Sequence, residues 1–108
     1  MKHFTNLRTT KEFNDVYKHA TKTWHTPYFV LFFKKNSMYK AGFVASKKIG
    51  NAVHRNRAKR LLRAHFIESI DLLSEGSYVL VAKPALIEEP YLVTHKAYLH
   101  ALHKCAAT

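Results

Sequence analysis

The side chains best suited to chemistry in this sequence are a run of cationic and amide groups near its middle. Six of them fall within nine consecutive positions: Arg55, Asn56, Arg57, Lys59, Arg60 and Arg63. Four of these six recur at helical spacing, and so do the apolar positions Ala58, Leu61, Leu62 and His65. The polar stripe lies about 140° around the helix from the apolar one. Because guanidinium groups present forked donors that match phosphate oxygens, these six residues, the basic ridge, predict a phosphate-binding helix face.

The charge of the whole chain also indicates a polyanionic partner. Eighteen Lys and Arg residues against seven Asp and Glu residues give a formal net charge of +11, and the pI is near 10.0. The 52 residues from Val16 to Ile67 contain twelve Lys or Arg residues and no acidic residue. Such a one-sided field is typical of proteins that bind nucleic acid. An anionic membrane is the rival partner, but it favours a basic helix with a broad apolar face.

The sequence offers no catalytic or metal-binding cluster of its own. A protein nuclease that uses two metal ions needs several converging carboxylates, and the basic half of the chain contains none. The eight histidines show no metal-ligand spacing with Cys105 or a carboxylate, so we predict surface or core positions for them. Cys105 is expected to be a small apolar residue, since a single cysteine excludes an intrachain disulfide.

These residues must be positioned by a small α+β domain, which we expect to span residues 1–108 because no linker or repeat divides the chain. A first helix is predicted over Thr10–His19, behind a capping box that begins at Thr9. The ridge helix is predicted over residues 52–70, with Asn51 as its cap. A last helix is expected to begin near Pro90.

Strands are predicted at residues 28–33, 39–46 and 78–82, with a short additional strand at 23–25. The strand at 39–46 is expected to run antiparallel to the strand at 28–33. The strand at 78–82 is expected to be central and buried. The predicted order of elements is therefore α-β-β-β-α-β-α, one sheet with helices packed on it.

The block from Ser46 to Arg63 reads SKKIGNAVHRNRAKRLLR. It closely resembles the signature of a known family, the bacterial ribonuclease P protein subunit. The triplet Arg55-Asn56-Arg57, with the three cations that follow it, is the most specific part. The resemblance covers nearly the whole chain, because the first helix, the strand that enters the signature and the late strand at 78–83 also match.

This resemblance implies a fold and a division of labour. The fold is a single four-stranded sheet with three helices and a left-handed β-α-β crossover around the signature helix, although about 98% of such crossovers are right-handed. The protein is expected to bind a large catalytic RNA, and that RNA with its magnesium ions removes the 5′ leader of precursor tRNA. We expect no cofactor on the protein's own residues, no obligate protein partner and no membrane. The expected location is cytoplasmic, since no signal peptide or membrane-length apolar run is present.

The same resemblance assigns residues to two RNA partners. The catalytic RNA is expected to contact the whole basic ridge. The single-stranded leader of precursor tRNA is expected in a cleft between the first helix and the sheet, on Phe13, Tyr17, Phe32, Lys47, Lys48 and Lys83. Phe32 is the expected partner from the strand, with Tyr28 and Val30 as alternatives. Aromatic faces stack on bases of any sequence, which suits leaders that vary.

Two other functions remain open from the sequence. A small ribosomal-type RNA-binding protein without a processing role explains the charge equally well, but it gives no reason for the aromatic pair on the first helix. A protein-only nuclease lacks the carboxylates that it needs. An assay of precursor tRNA cleavage with and without the RNA subunit separates all three.

Overall fold

The computed structural model describes residues 3–105 and 107, which form one five-stranded sheet and three α-helices. The strands are β1 (Thr5–Asn6), β2 (Lys22–His25), β3 (Phe29–Lys35), β4 (Tyr39–Val44) and β5 (Gly76–Ala82). The helices are α1 (Thr10–His19), α2 (Ala52–Ser69) and α3 (Tyr91–Lys104), with short 3₁₀ helices at Lys47–Ile49, Ile70–Leu72 and Pro84–Ile87. Within the described part of the chain, no helix is both long and apolar enough to cross a membrane.

The helices begin where the sequence predicts them to begin. The side chain of Thr9 accepts a hydrogen bond from the backbone N–H of Glu12, and Glu12 accepts one from the backbone of Thr9, so the capping box is complete. The backbone N–H groups of Arg8 and Thr9 lower the pKa of the Glu12 carboxyl. At the start of α2, Asn51 Oδ1 accepts a hydrogen bond from the backbone N–H of His54 at 3.0 Å.

The prediction of a four-stranded sheet is wrong by one strand. The strand order is β1-β4-β5-β3-β2, and β1 pairs in parallel with β4, with Thr5 opposite Lys40. A strand therefore precedes α1. Two exposed polar residues carry no alternating apolar pattern, so the sequence contains no signal from which β1 could be predicted.

The middle of the sheet agrees with the prediction for residues 78–82. Strand β5 is central, pairing antiparallel with β3 and parallel with β4. Strands β3 and β4 run in opposite directions as expected, but β5 lies between them, so they do not form a hairpin. Because β4 and β5 are parallel neighbours joined through α2, the connection is a β-α-β crossover. Its left-handedness stays a prediction.

The two faces of the sheet are covered unequally. Helices α2 and α3 pack on one face and enclose the larger core, which includes Phe29, Leu62, Phe66, Tyr78 and Tyr98. Helix α1 packs on the other face, where a smaller cluster of Leu7, Val16 and Val79 is bordered by half-buried side chains. The α1 face therefore keeps apolar surface that is only partly covered.

A stack of aromatic and histidine rings joins α2 to α3. The ring of His65 is fully buried, and its centroid lies 4.2 Å from that of the Tyr91 ring. Thr94 donates its hydroxyl to Tyr91 O, so Thr94 Oγ1 accepts from His65 Nε2 at 2.9 Å. His65 Nδ1 is then the acceptor for His95 Nδ1 at 2.8 Å. This network needs an uncharged His65, and the core position expected for some histidines is found here.

We predict that this stack makes the fold sensitive to mild acid. Burial, and then the nearby His95, lower the pKa of His65 from 6.5 to about 4, while Glu68 acts in the opposite direction. As the pH falls, His65 therefore becomes protonated near pH 6.5 in the unfolded chain, whereas in the folded protein it stays neutral until about pH 4. The contribution of His65 to the free energy of unfolding is fully present above pH 6.5 and is lost as the pH falls towards 4. The loss is about 2 kcal/mol between pH 7 and pH 5.

Urea unfolding of the parent protein and of His65→Gln at these pH values tests the prediction. The variant should lose much less stability over the same interval. A control substitution, His19→Gln at an exposed position, should keep the parent's pH dependence. Equal slopes in the parent and His65→Gln would contradict the assignment.

Candidate nucleic-acid interface

Helix α1 crosses the sheet along one row of side chains. The register aligns Gly42 on β4, Val79 on β5 and Phe32 on β3. The ring of Phe13 lies against Gly42, and the ring of Tyr17 meets that of Phe32 edge-on with centroids 4.9 Å apart. The helix therefore spans the sheet from β4 to β3 above β5.

The next row of the sheet, beyond α1, is only partly covered and forms the floor of the candidate cleft. Val44, Val81 and Val30 are aligned across β4, β5 and β3, and all three are half-buried. The rings of Phe13 and Tyr17, with centroids 6.5 Å apart, form the side of this cleft. Both rings are half-buried as well. The structure thus brings together an apolar floor and an aromatic side wall, which are suited to stacking and apolar contact with bases.

The three candidates for the strand partner of the first-helix aromatics are distinguished by their positions. Phe32 contacts Tyr17 directly, and Val30 lies one row further along the same face. Tyr28 precedes β3 and packs against the larger core on the other side of the sheet. The geometry therefore favours Phe32 as the aromatic partner of α1. Partial burial raises the pKa of the Tyr17 hydroxyl, so it stays uncharged near neutral pH and does not repel a phosphate.

Gly42 is a structural requirement of the cleft that the sequence analysis missed. A Cβ atom at this position would lie 2.3 Å from Phe13 Cε1 and 2.6 Å from its Cζ. The ring of Phe13 therefore occupies the space that any other residue would need. A glycine inside an apolar strand is a known sign of close approach, and this signal was available in the sequence.

We predict that Gly42→Ala displaces the ring of Phe13 without unfolding the protein. The colliding atoms are the far end of a side chain next to an open cleft, so the ring can turn outwards. The expected loss of stability is about 1–3 kcal/mol, as for other overpacked sites. Thermal unfolding with near-ultraviolet circular dichroism measures both effects. An unchanged aromatic signal and melting temperature would show that the ring does not depend on Gly42.

The cleft lysines occupy different environments. Lys47 and Lys48 are exposed on the 3₁₀ helix that follows β4, which is anchored by the buried Ile49. Lys83 is half-buried after the parallel strand β5, and its Nζ donates to the carbonyl oxygen of Thr26 at 2.7 Å. Lys47 and Lys48 are therefore available to an external phosphate, whereas Lys83 already holds the turn between β2 and β3.

The carboxylates of α1 lie on its other side, away from the cleft. Glu12 and Asp15 line a small pocket with Lys34 and Lys40, in the row of the sheet that precedes Gly42. Lys34 Nζ donates to Asp15 Oδ2 at 2.5 Å and lowers the pKa of that carboxyl. The negative charge of α1 is thus neutralised on the pocket side and does not face the cleft.

The basic ridge is presented by α2, which packs on the opposite face of the sheet from α1. Ala58, Leu62, His65, Phe66 and Ser69 are buried on its inner side. Arg55 of the ridge is half-buried. The other five ridge residues are exposed: Asn56, Arg57, Lys59, Arg60 and Arg63. A solvent-exposed ridge and an open cleft are therefore separate surfaces on one small domain.

Two ridge residues have special surroundings. Arg63 Nη1 donates to Asn6 Oδ1 at 3.3 Å, and its guanidinium lies 5.5 Å from the centroid of the Phe4 ring. The N-terminal segment that includes β1 therefore positions Arg63, which the sequence could not indicate. The Nε atom of Arg55 is buried and has no hydrogen-bond partner within residues 3–105 and 107.

The described residues hold no arrangement that could bind a metal ion through three or more His, Cys, Asp or Glu side chains. A family model described as Ribonuclease P matches residues 1–106. The chain belongs to the ribonuclease P protein family. The family that the block around the basic ridge suggested is thus confirmed, and the match extends from the N-terminal segment to the end of α3.

Relatives and solved structures agree with the family. The ribonuclease P protein component of a Nitratiruptor species is 53% identical over 87 residues, which cover 81% of this chain and 79% of that protein. That of a Geobacillus species is 31% identical over 110 residues, covering 99% and 95%. The RNase P protein from Thermotoga maritima superimposes with a TM-score of 0.80 at 27% identity, over 92% of this chain and 96% of that one. The Staphylococcus aureus RNase P protein, 23% identical, shares the fold with a TM-score of 0.83 over 94% of this chain and 95% of that one.

Proposed function

We propose that this chain, as a ribonuclease P protein component, binds two RNA partners on separate surfaces. The basic ridge of α2 binds the catalytic RNA subunit, and the cleft between α1 and the sheet binds the single-stranded 5′ leader of precursor tRNA. The protein positions the substrate, and the RNA with its magnesium ions hydrolyses the phosphodiester bond. The protein thereby assists removal of the leader in the cytoplasm.

The observation that carries this proposal is the division of the surface. A protein that only holds a folded RNA needs a cationic face, which α2 supplies. The half-buried Phe13 and Tyr17 instead stand beside a half-buried row of valines on the opposite face of the sheet. Such a cleft suits an unpaired strand, because single-stranded bases expose the faces on which aromatic rings stack.

The roles of the protein's carboxylates support assigning the chemistry to the RNA. Glu12 closes the capping box of α1, Asp15 is paired with Lys34, and Glu68 accepts the hydroxyl of Tyr91 at 2.6 Å. Each of these three groups therefore has a structural partner, and only Glu12 and Asp15 share a pocket, where Lys34 and Lys40 accompany them. Metal-assisted hydrolysis by protein side chains would need several carboxylates around the scissile phosphate.

The proposal is tested with purified protein, precursor tRNA and the catalytic RNA. Cleavage at the mature 5′ end should require the RNA, and the protein should raise cleavage at low substrate concentrations. The protein alone should not cut the substrate. Cleavage by the protein alone would support the protein-only nuclease. Tight RNA binding with no effect on cleavage would support the ribosomal-type alternative.

A further inference from the structure

A third cationic surface lies at the edge of the sheet formed by β2. Strand β2 is the edge strand opposite β1, and its Trp24 side chain is half-buried against the larger core. The ring of Trp24 meets that of His100 on α3 with centroids 5.9 Å apart in an edge-on arrangement. Lys104 Nζ lies 5.7 Å from the centroid of the Trp24 ring. Trp24 thus contacts one imidazole ring and one ammonium group of α3 beside the edge strand.

The basic side chains on this side of α3 are regularly spaced. Lys96, His100 and Lys104 follow one another at four-residue intervals on α3, and His100 and Lys104 are exposed; this spacing places successive side chains about 6 Å apart along the helix. Lys22 shares the face of β2 that carries Trp24, because they are two residues apart on one strand. Burial raises the pKa of the Cys105 thiol at the end of α3, and the charge of Lys22 acts in the opposite direction. We call Lys22, Trp24, Lys96, His100 and Lys104 the edge patch.

The edge patch is suited to an anionic partner. Neither β2 nor α3 contains an acidic residue, so the charges of Lys22, Lys96 and Lys104 have no counter-charge on their own elements. A bound polyanion would supply that counter-charge. The contact with Trp24 restrains the ammonium group of Lys104 in advance, so less side-chain freedom is lost when a phosphate binds there.

We propose that the edge patch is a second contact for the catalytic RNA, made through phosphate oxygens; this rests on the proposed function. Helices α2 and α3 cover the same face of the sheet, so a large RNA on the basic ridge can extend to α3. The leader cleft lies on the opposite face. The edge patch is separate from the ridge, because Arg63 contacts Asn6 of β1 and the patch lies on β2, at the other edge of the sheet. One acidic side chain lies where the two helices meet, since Glu68 of α2 accepts the hydroxyl of Tyr91 of α3.

The single tryptophan of the chain reports on this contact directly. Titrating the full-length protein with catalytic RNA, with excitation at the red edge of tryptophan absorption, should change Trp24 emission in step with binding measured independently by filter retention. Lys96→Gln/Lys104→Gln should remove most of the emission change. If both lysines engage phosphates, it should also weaken binding by roughly 50-fold at 0.1 M salt. Melting temperatures establish that the variant is folded.

The matched control is Lys11→Gln/Lys18→Gln, which removes two exposed lysines from α1 on the opposite face of the sheet. It should leave the emission change intact and weaken binding much less. Normal retention of RNA without an emission change, or equal losses in the two double variants, would overturn the edge patch while leaving the proposed function in place. If the parent protein retains no RNA on the filter, the proposed function itself fails.

Discussion

Alanine at both Arg57 and Arg60 is expected to weaken binding of the catalytic RNA by roughly 50-fold at 0.1 M salt, since each phosphate contact contributes close to one unit of slope in log affinity against log salt. Both side chains are exposed on α2 and neither belongs to its buried side. Their removal should therefore change the free energy of unfolding by no more than about 0.5 kcal/mol.

The salt dependence gives this prediction its sharper form. If about six cationic groups engage phosphates, the parent protein should show a slope of about −5 or steeper, and the double variant a slope about two units shallower. Affinities should be measured at several salt concentrations, with melting temperatures as the control for folding. A parent slope near −1, or identical slopes in parent and variant, would mean that the ridge faces solvent in the complex.

Within the ridge, Arg63 is expected to behave differently from Arg57 and Arg60. Its guanidinium donates a hydrogen bond to Asn6 and lies near the Phe4 ring. We therefore expect Arg63→Ala to lower the free energy of unfolding as well as RNA affinity. Asn6→Ala offers the complementary change, because it frees Arg63 without removing its charge. Such coupling between β1 and the ridge was invisible in the sequence, where the two segments are far apart.

Local patterns were sufficient to predict most elements of this fold. The capping box at Thr9, the cap at Asn51 and the apolar run at residues 78–82 each act over a few neighbouring residues, and the corresponding element is found in each case. Strand β1, which was not predicted from the sequence, is stabilised by its pairing with β4 and not by an apolar pattern of its own residues. Strand order and the position of β5 between β3 and β4 likewise depend on contacts distant in sequence.

The same distinction applies to the candidate surfaces. The ridge follows from helical periodicity alone, so its residues were found by counting positions. The openness of the cleft depends on how far α1 covers the sheet, and this is set by the approach of Phe13 to Gly42 and of Tyr17 to Phe32. The engagement of Lys83 by the carbonyl of Thr26 is another long-range contact. The roles of these residues in RNA binding stay predictions.

Phe13→Ala and Tyr17→Ala are expected to impair cleavage of precursor tRNA with a long leader far more than of a substrate with a one-nucleotide leader. Stacking contributes about 1–3 kcal/mol per base, so each substitution should weaken binding of the long-leader substrate by roughly 5- to 150-fold. Binding of mature tRNA and of the catalytic RNA should be unchanged, since neither requires the cleft.

The stability of the same variants separates a cleft from a core. A fully buried aromatic residue costs about 3–5 kcal/mol when truncated to alanine, but both rings are only half-buried, so the loss should be clearly smaller. Tyr17→Phe keeps the ring and should retain the preference for the long leader. Val16→Ala is the matched control: Val16 is buried beneath α1 in the same cluster, so it should lower stability without changing the ratio between the two substrates. An equal loss on both leaders, or a collapse of the fold, would place these rings in the core and leave no cleft for the leader, because the row of valines beside α1 would then have no aromatic wall.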